Sequence, residues 1–164
     1  MSRSTGLVRS PLRLLGAVLL CNAAGIAGAL VTATGPSSWY ETLAKPWFLP
    51  PPFVFAPVWT LLYVMMGIAL YLIWMEGSDR PDVRRALSLF AVQLALNALW
   101  SPVFFGLQSP ALGLVVILLL FGAVLLTVRQ FLPVRKEAAW LLVPYCIWIA
   151  FATVLNTSIL LLNA

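Results

Sequence analysis

Long apolar runs alternate along this chain with short charged breaks. Leu14 to Val31 and Ala111 to Val128 contain no charged residue at all. About 20 consecutive apolar residues cross a hydrocarbon core roughly 30 Å thick. Five such spans fit, at about 12–34, 54–75, 83–105, 111–131 and 139–162. Residues 1–11 are left as a basic N-terminal tail, and 12–164 make a single domain. The runs are continuously apolar rather than alternating with period two, which favours helices over barrel strands. A helix also satisfies its own backbone inside lipid. The expected fold class is therefore an all-α integral membrane bundle of five transmembrane helices. The basic stretch with Arg3, Arg9 and Arg13 resembles the start of a signal peptide. The apolar run behind it is too long, and Ala23-Ala24-Gly25 too poor a cleavage site, so it is read as a retained first helix.

The breaks between spans differ in kind. The first, from Thr34 to Pro57, is the longest and is rich in proline and aromatic residues, so it cannot continue as one helix. Within it, 39–44 suits a short helix with Ser37 or Ser38 as N-cap. A long connection in a compact domain is commonly functional, and its aromatic content suits an ordered lid over the bundle. The second break, Glu76 to Arg85, has Gly77 and Pro81 as helix breakers, and Asp82 complements the dipole of the next helix. Gly106 to Pro110 reads as a tight turn and Arg129 to Glu137 as a basic loop. Pro57, Pro102 and Pro144 lie in or near helix ends, where each loosens or kinks the backbone.

Charge then orients the bundle. The chain has 10 Lys and Arg, 5 Asp and Glu, no His, and a net charge of +5. Nine of the cations fall on one side of the expected topology, and only Lys45 on the other. The positive-inside rule places the N-terminus inside and the C-terminus outside. The basic balance is a topology signal, with no nucleic-acid partner implied. Cys21 and Cys146 fall in spans without a His neighbour, so neither a metal site nor a disulfide is expected.

Enzyme signatures are missing from the sequence. Without His there is no Ser-His-Asp set, and there is no phosphate-binding glycine loop. Function must come from the few polar and large aromatic groups at membrane depth, where an unpaired polar side chain is costly. The amides are Asn22, Gln93, Asn97 and Asn156, available to bridge helices or meet a ligand. Trp59, Tyr63 and Met66 share a face of the second helix by their i, i+4, i+7 spacing. Asn97, Trp100 and Phe104 do so in the third, and Trp148, Ala152 and Leu155 in the fifth. A mostly apolar pocket with sparse polar groups suits a flat hydrophobic ligand. Aromatic packing without a ligand gives the same periodicity. Gly25, Gly28, Ala95 and Ala98 equally suit a dimer seam or packing within one chain.

The motifs as they stand resemble the TspO/MBR family, the tryptophan-rich sensory proteins related to the mitochondrial translocator protein. The first is Trp39-Tyr40-x-x-Leu43-x-Lys45-Pro46-x-x-x-Pro50-Pro51, followed by Phe55-Ala56-Pro57-Val58-Trp59-Thr60-x-Leu62-Tyr63. Then come Gln93-Leu94-x-x-Asn97-x-x-Trp100-x-x-x-Phe104-Phe105 and Pro144-Tyr145-x-x-Trp148-x-x-Phe151-Ala152-x-x-Leu155-Asn156. The resemblance implies a homodimer of five-helix bundles in the bacterial cytoplasmic membrane, with the outer membrane as alternative. It implies binding of porphyrins such as protoporphyrin IX and haem, and a sensory or regulatory role in tetrapyrrole or stress responses; no obligatory cofactor and no metal site are expected, and without His a metal-free porphyrin is favoured over haem. Light-dependent porphyrin degradation, with Trp59 and Trp148 as reactive rings, is an alternative that resemblance also implies, as is transport of a tetrapyrrole or lipid. Carried over by motif, the ligand site is Tyr40, Pro50, Trp59, Asn97, Trp100, Phe104, Trp148, Ala152 and Leu155. One departure stands out: the tail after Asn156 has neither the Tyr nor the cation of the sterol motif of animal members.

Overall fold

The computed structural model describes residues 10–164, so Arg3, Arg9 and most of the basic tail lie outside the described residues. The described residues form α1 (Pro11–Ala29), α2 (Trp39–Thr42), α3 (Pro52–Trp74), α4 (Pro81–Ser101), α5 (Pro110–Val134), α6 (Lys136–Leu141) and α7 (Val143–Leu162). A single π-helical turn, Pro102–Gly106, extends α4. Five of these segments, counting α4 with its π turn and α6 with α7, are long and apolar enough to cross a membrane. The chain is a multi-pass membrane protein.

The helices start where proline permits. Pro11, Pro52, Pro81 and Pro110 open α1, α3, α4 and α5. At that position the missing N–H costs nothing and the ring presets φ. Ser109 adds a side-chain cap, accepting from the Leu112 N–H at 3.2 Å. Asp82 stands in the first turn of α4 as expected, and Gly77 takes φ +103° in the turn before it.

Several boundaries differ from the sequence reading. The first span ends at Ala29 rather than near 34, because Val31 and Thr32 donate back to the Gly28 and Ala29 carbonyls and close a tighter turn. The Thr32 hydroxyl, 2.9 Å from the Gly28 oxygen, competes there with the helical ladder. The basic loop expected from Arg129 shrinks to Arg135, since α5 continues to Val134 and α6 begins at Lys136. Pro144 lacks the N–H that would bond the Trp140 carbonyl, and the last span breaks at Leu142 into α6 and α7. Pro102 has a different effect, opening the π turn. In the lid, Ser38 occupies the N-cap position of α2 but makes no cap hydrogen bond.

α1 packs on α3 and α4, α4 on α5, and α5 on α6 and α7, while α6 closes the ring against α3. The two ends of this ring differ. One carries the connections rich in Arg and Lys and is called the basic end. The other carries residues 30–51, which fold over it as a lid. The core between them is apolar, with Met66, Ala69, Ile73, Val83 and Phe131 fully buried. Large side chains on the outside, such as Leu19, Leu119 and Ile147, are more than half exposed, as expected of faces that meet lipid.

Candidate functional site

The aromatic residues expected at the site gather in two clusters, each tied down by an asparagine. In the first, the Trp59 ring stacks on Tyr63 at 5.4 Å between centroids, with 25° between the planes. The same indole meets Tyr145 and Trp148 edge-on, each at 6.4 Å. Trp148 continues to Phe55 at 5.9 Å and Phe151 at 5.6 Å. This cluster fills the seam between α3 and α7. Offset and edge-on pairs of this kind each add about 0.5–1.5 kcal/mol beyond buried area.

The second cluster lies under the lid. Trp100 stacks on Phe104 at 5.1 Å. Trp39 meets Phe104 edge-on at 5.9 Å, and Tyr40 reaches Phe104 at 6.4 Å and Phe105 at 5.4 Å. Burial pushes the Tyr40 hydroxyl above its ordinary range, with the Glu41 charge as a second cause, so the ring stays neutral. Lys45 sits over that ring, its Nζ 4.9 Å from the centroid and 3.7 Å from Glu41 Oε1. Its charge is thus engaged locally within the lid.

Asn97 anchors the first cluster and Asn156 the second. The Tyr63 hydroxyl donates to Asn97 Oδ1 at 2.6 Å, and Asn97 Nδ2 donates to the Tyr145 hydroxyl at 2.9 Å. One amide on α4 therefore fixes α3 and α7. Trp100 Nε1 donates to Asn156 Oδ1 at 3.2 Å, while Asn156 Nδ2 donates to the Pro110 carbonyl at 2.8 Å. Asn22 only turns back on its own helix, to the Val18 carbonyl. Gln93, 1% exposed, has no hydrogen-bond partner for either amide atom. It lies one turn from Asn97 on α4.

Glycine makes the first cluster possible. A Cβ on Gly25 of α1 would collide with the Tyr63 ring, so only glycine lets the phenol swing to Asn97. This assigns Gly25 to packing within the chain. Of the remaining expected residues, Leu155 is buried, while Pro50 and Ala152 are half-buried. Cys21, fully buried, and Cys146 are free thiols. No group of three or more His, Cys, Asp and Glu that could hold a metal occurs among the described residues.

Some contributors escaped the sequence reading. The main-chain N–H of Ala44, in the lid, donates to Asn163 Oδ1 at 2.9 Å, and Asn163 Nδ2 donates to the Ala44 carbonyl at 3.0 Å. This two-bond clasp holds the lid to the end of α7. Nothing in the sequence marks it, because the partners are 119 residues apart. Phe48 meets Phe151 at 6.4 Å and carries the lid onto the α7 face. Only their aromatic character was visible beforehand.

Residues 17–162 match the sequence profile of the TspO/MBR family. Among curated proteins, the tryptophan-rich protein TspO of Chlorobaculum tepidum is 48% identical over 144 residues, 88% of this chain and 91% of that protein. The tryptophan-rich sensory protein of Cereibacter sphaeroides is 40% identical, covering 87% of this chain and 86% of its own length. The translocator protein of Bos taurus is 41% identical over 87% of this chain and 85% of that one.

Proposed function

This chain belongs to the TspO/MBR family, and on that footing we propose that it binds a porphyrin, with protoporphyrin IX as the probe ligand, as a membrane sensory protein. The observation that carries the reading is the Trp59 cluster, four aromatic rings held in register by one asparagine. A macrocycle is flat, largely apolar and polarisable. It gains from the same offset and edge-on contacts that these rings make with one another. Movement of Trp59 or Trp148 from its ring partner opens a face to the guest, while Asn97 keeps the helices together. Tyr40, Trp100 and Phe104 complete the site from under the lid, with Pro50, Ala152 and Leu155 as apolar lining. A homodimer belongs to the same proposal.

The test is a titration of detergent-solubilised protein with protoporphyrin IX in the dark, following tryptophan fluorescence. Saturable quenching is expected, weakened about three- to ten-fold by Trp59→Phe or Trp148→Phe, the worth of one aromatic contact. Quenching that is linear, or indifferent to both substitutions in folded protein, overturns the assignment. A second reading, light-dependent breakdown of the porphyrin, is favoured by the direct contact of Trp59 with Trp148. Illumination of the same samples separates the two: multiple turnovers lost in Trp→Phe variants support an enzyme, and stoichiometric bleaching supports a binder.

A further inference from the structure

The aromatic interior is closed by different forces at its end and at its side. At the lid end, the Ala44 main chain and the Asn163 side chain exchange two hydrogen bonds. Trp39 and Tyr40 add ring contacts to Phe104, and Phe48 adds one to Phe151. A guest that lifts the lid breaks all of these together. The side is closed otherwise. At the basic end α3 packs against α6. Beyond α6, toward the lid, α3 meets α7 through rings, with Phe55 edge-on to Trp148 at 5.9 Å and Trp59 edge-on to Trp148 at 6.4 Å. The hydrogen bonds at this level run through Asn97 of α4, to Tyr63 and to Tyr145.

These rings belong to the outer surface as well as to the interior. Phe55, Trp59 and Trp148 are half-buried, whereas Tyr63 and Tyr145 are buried. Ala56, Thr60 and Ile147, next to them along α3 and α7, are exposed. In a chain that spans a membrane, such faces meet acyl chains. The backbone beside the seam is interrupted too. Pro57, inside α3, has no N–H for the Phe53 carbonyl, and Pro144, one turn before Trp148, has none for the Trp140 carbonyl. Phe55 and Trp148 each stand within about a turn of a break in the helical ladder, where helices bend most readily.

We infer that the seam between α3 and α7 is a lateral portal: a flat apolar ligand dissolved in the bilayer enters between Phe55 and Trp148 while the lid stays clasped. The inference takes its guest from the porphyrin reading and adds the route. Ring contacts broken as the seam parts are replaced by the same kind of contact with the macrocycle. The clasp has no such replacement, since an apolar ring face offers nothing to the Ala44 N–H and carbonyl. Phe55 acts as the gate. Asn97 keeps α3 and α7 tied through α4, so the seam parts by ring movement and the bundle stays whole.

The test uses the full chain in lipid vesicles, with protoporphyrin IX added in the dark and the saturable part of the tryptophan quenching followed in time. In a background of Cys21→Ala and Cys146→Ala, Ala44→Cys with Asn163→Cys locks the lid by a disulfide that reductant releases. The locked protein is expected to take up porphyrin at the rate of its own reduced form. Phe55→Ala is expected to raise the association and dissociation rates together by about three- to ten-fold, the worth of one edge-on contact, with the quenching amplitude kept. Phe55→Leu, which keeps apolar bulk without the ring, moves both rates in the same direction. Uptake that is slowed by the lock and restored by reductant overturns the portal and leaves porphyrin binding standing. Rates unmoved by both Phe55 substitutions do the same. Absence of saturable quenching in every sample overturns the binding reading, and the portal with it.

Discussion

Two amides on one face of α4 have opposite fates. Asn97 spends its oxygen on Tyr63 and its nitrogen on Tyr145, whereas Gln93 is buried with neither atom bonded. Burial of an unpartnered amide is unfavourable, and removing one partner of a made bond strands the others. Gln93→Leu is therefore expected to raise stability by about 1 kcal/mol, and Asn97→Leu to lower it by about 1–3 kcal/mol. Thermal unfolding in detergent checks both, and a destabilised Gln93→Leu would mean that Gln93 has a partner in the working protein. The sequence marked both residues as polar groups in a span but offered no way to tell them apart. Periodicity gives the face a residue occupies. It does not give the distance to the next helix, which decides whether a tyrosine hydroxyl arrives.

Among the elements, the spans were legible because each is a continuous apolar run, and their starts because proline opens four of them. The stacked pairs Trp59–Tyr63 and Trp100–Phe104 were legible too, since i, i+4 neighbours on a helix meet whatever the tertiary context. The ends were not. Thr32 shortens α1 through its hydroxyl, and α5 runs through Pro133 to Val134 where a charged loop was expected. The lid is the element with most to reveal. Its clasp to Asn163 comprises two hydrogen bonds worth about 1 kcal/mol each. Asn163→Ala is expected to speed amide exchange in 43–45 by about ten-fold or more, and to shorten the residence of a bound porphyrin, with little change in the unfolding temperature of the bundle. Exchange that does not change would show that Trp39, Tyr40 and Phe48 hold the lid unaided.

Across the whole molecule, the charge asymmetry sets direction. Among the described residues, Arg13, Arg80, Arg84, Arg85, Arg129, Arg135 and Lys136 lie toward one end and Lys45 toward the other, so the basic end is expected to face the cytoplasm. In a background with Cys21 and Cys146 replaced by alanine, an impermeant maleimide added to intact cells should label Trp47→Cys and leave Ser78→Cys untouched. Labelling in the reverse pattern inverts the assignment. The family was legible from motifs in order along the chain, and residues 17–162 match its profile. What the motifs did not convey is closure, because it depends on residues far apart in sequence. Ala44 leaves the ribosome long before Asn163, with four of the five spans still to be made between them. The lid cannot be fastened until the last span has been inserted and has turned its final residues toward the first connection. The last span also supplies Tyr145 and Trp148, so the aromatic cluster and the clasp are completed by the same insertion. The order of synthesis thus makes fastening of the lid one of the last steps in assembly of the bundle.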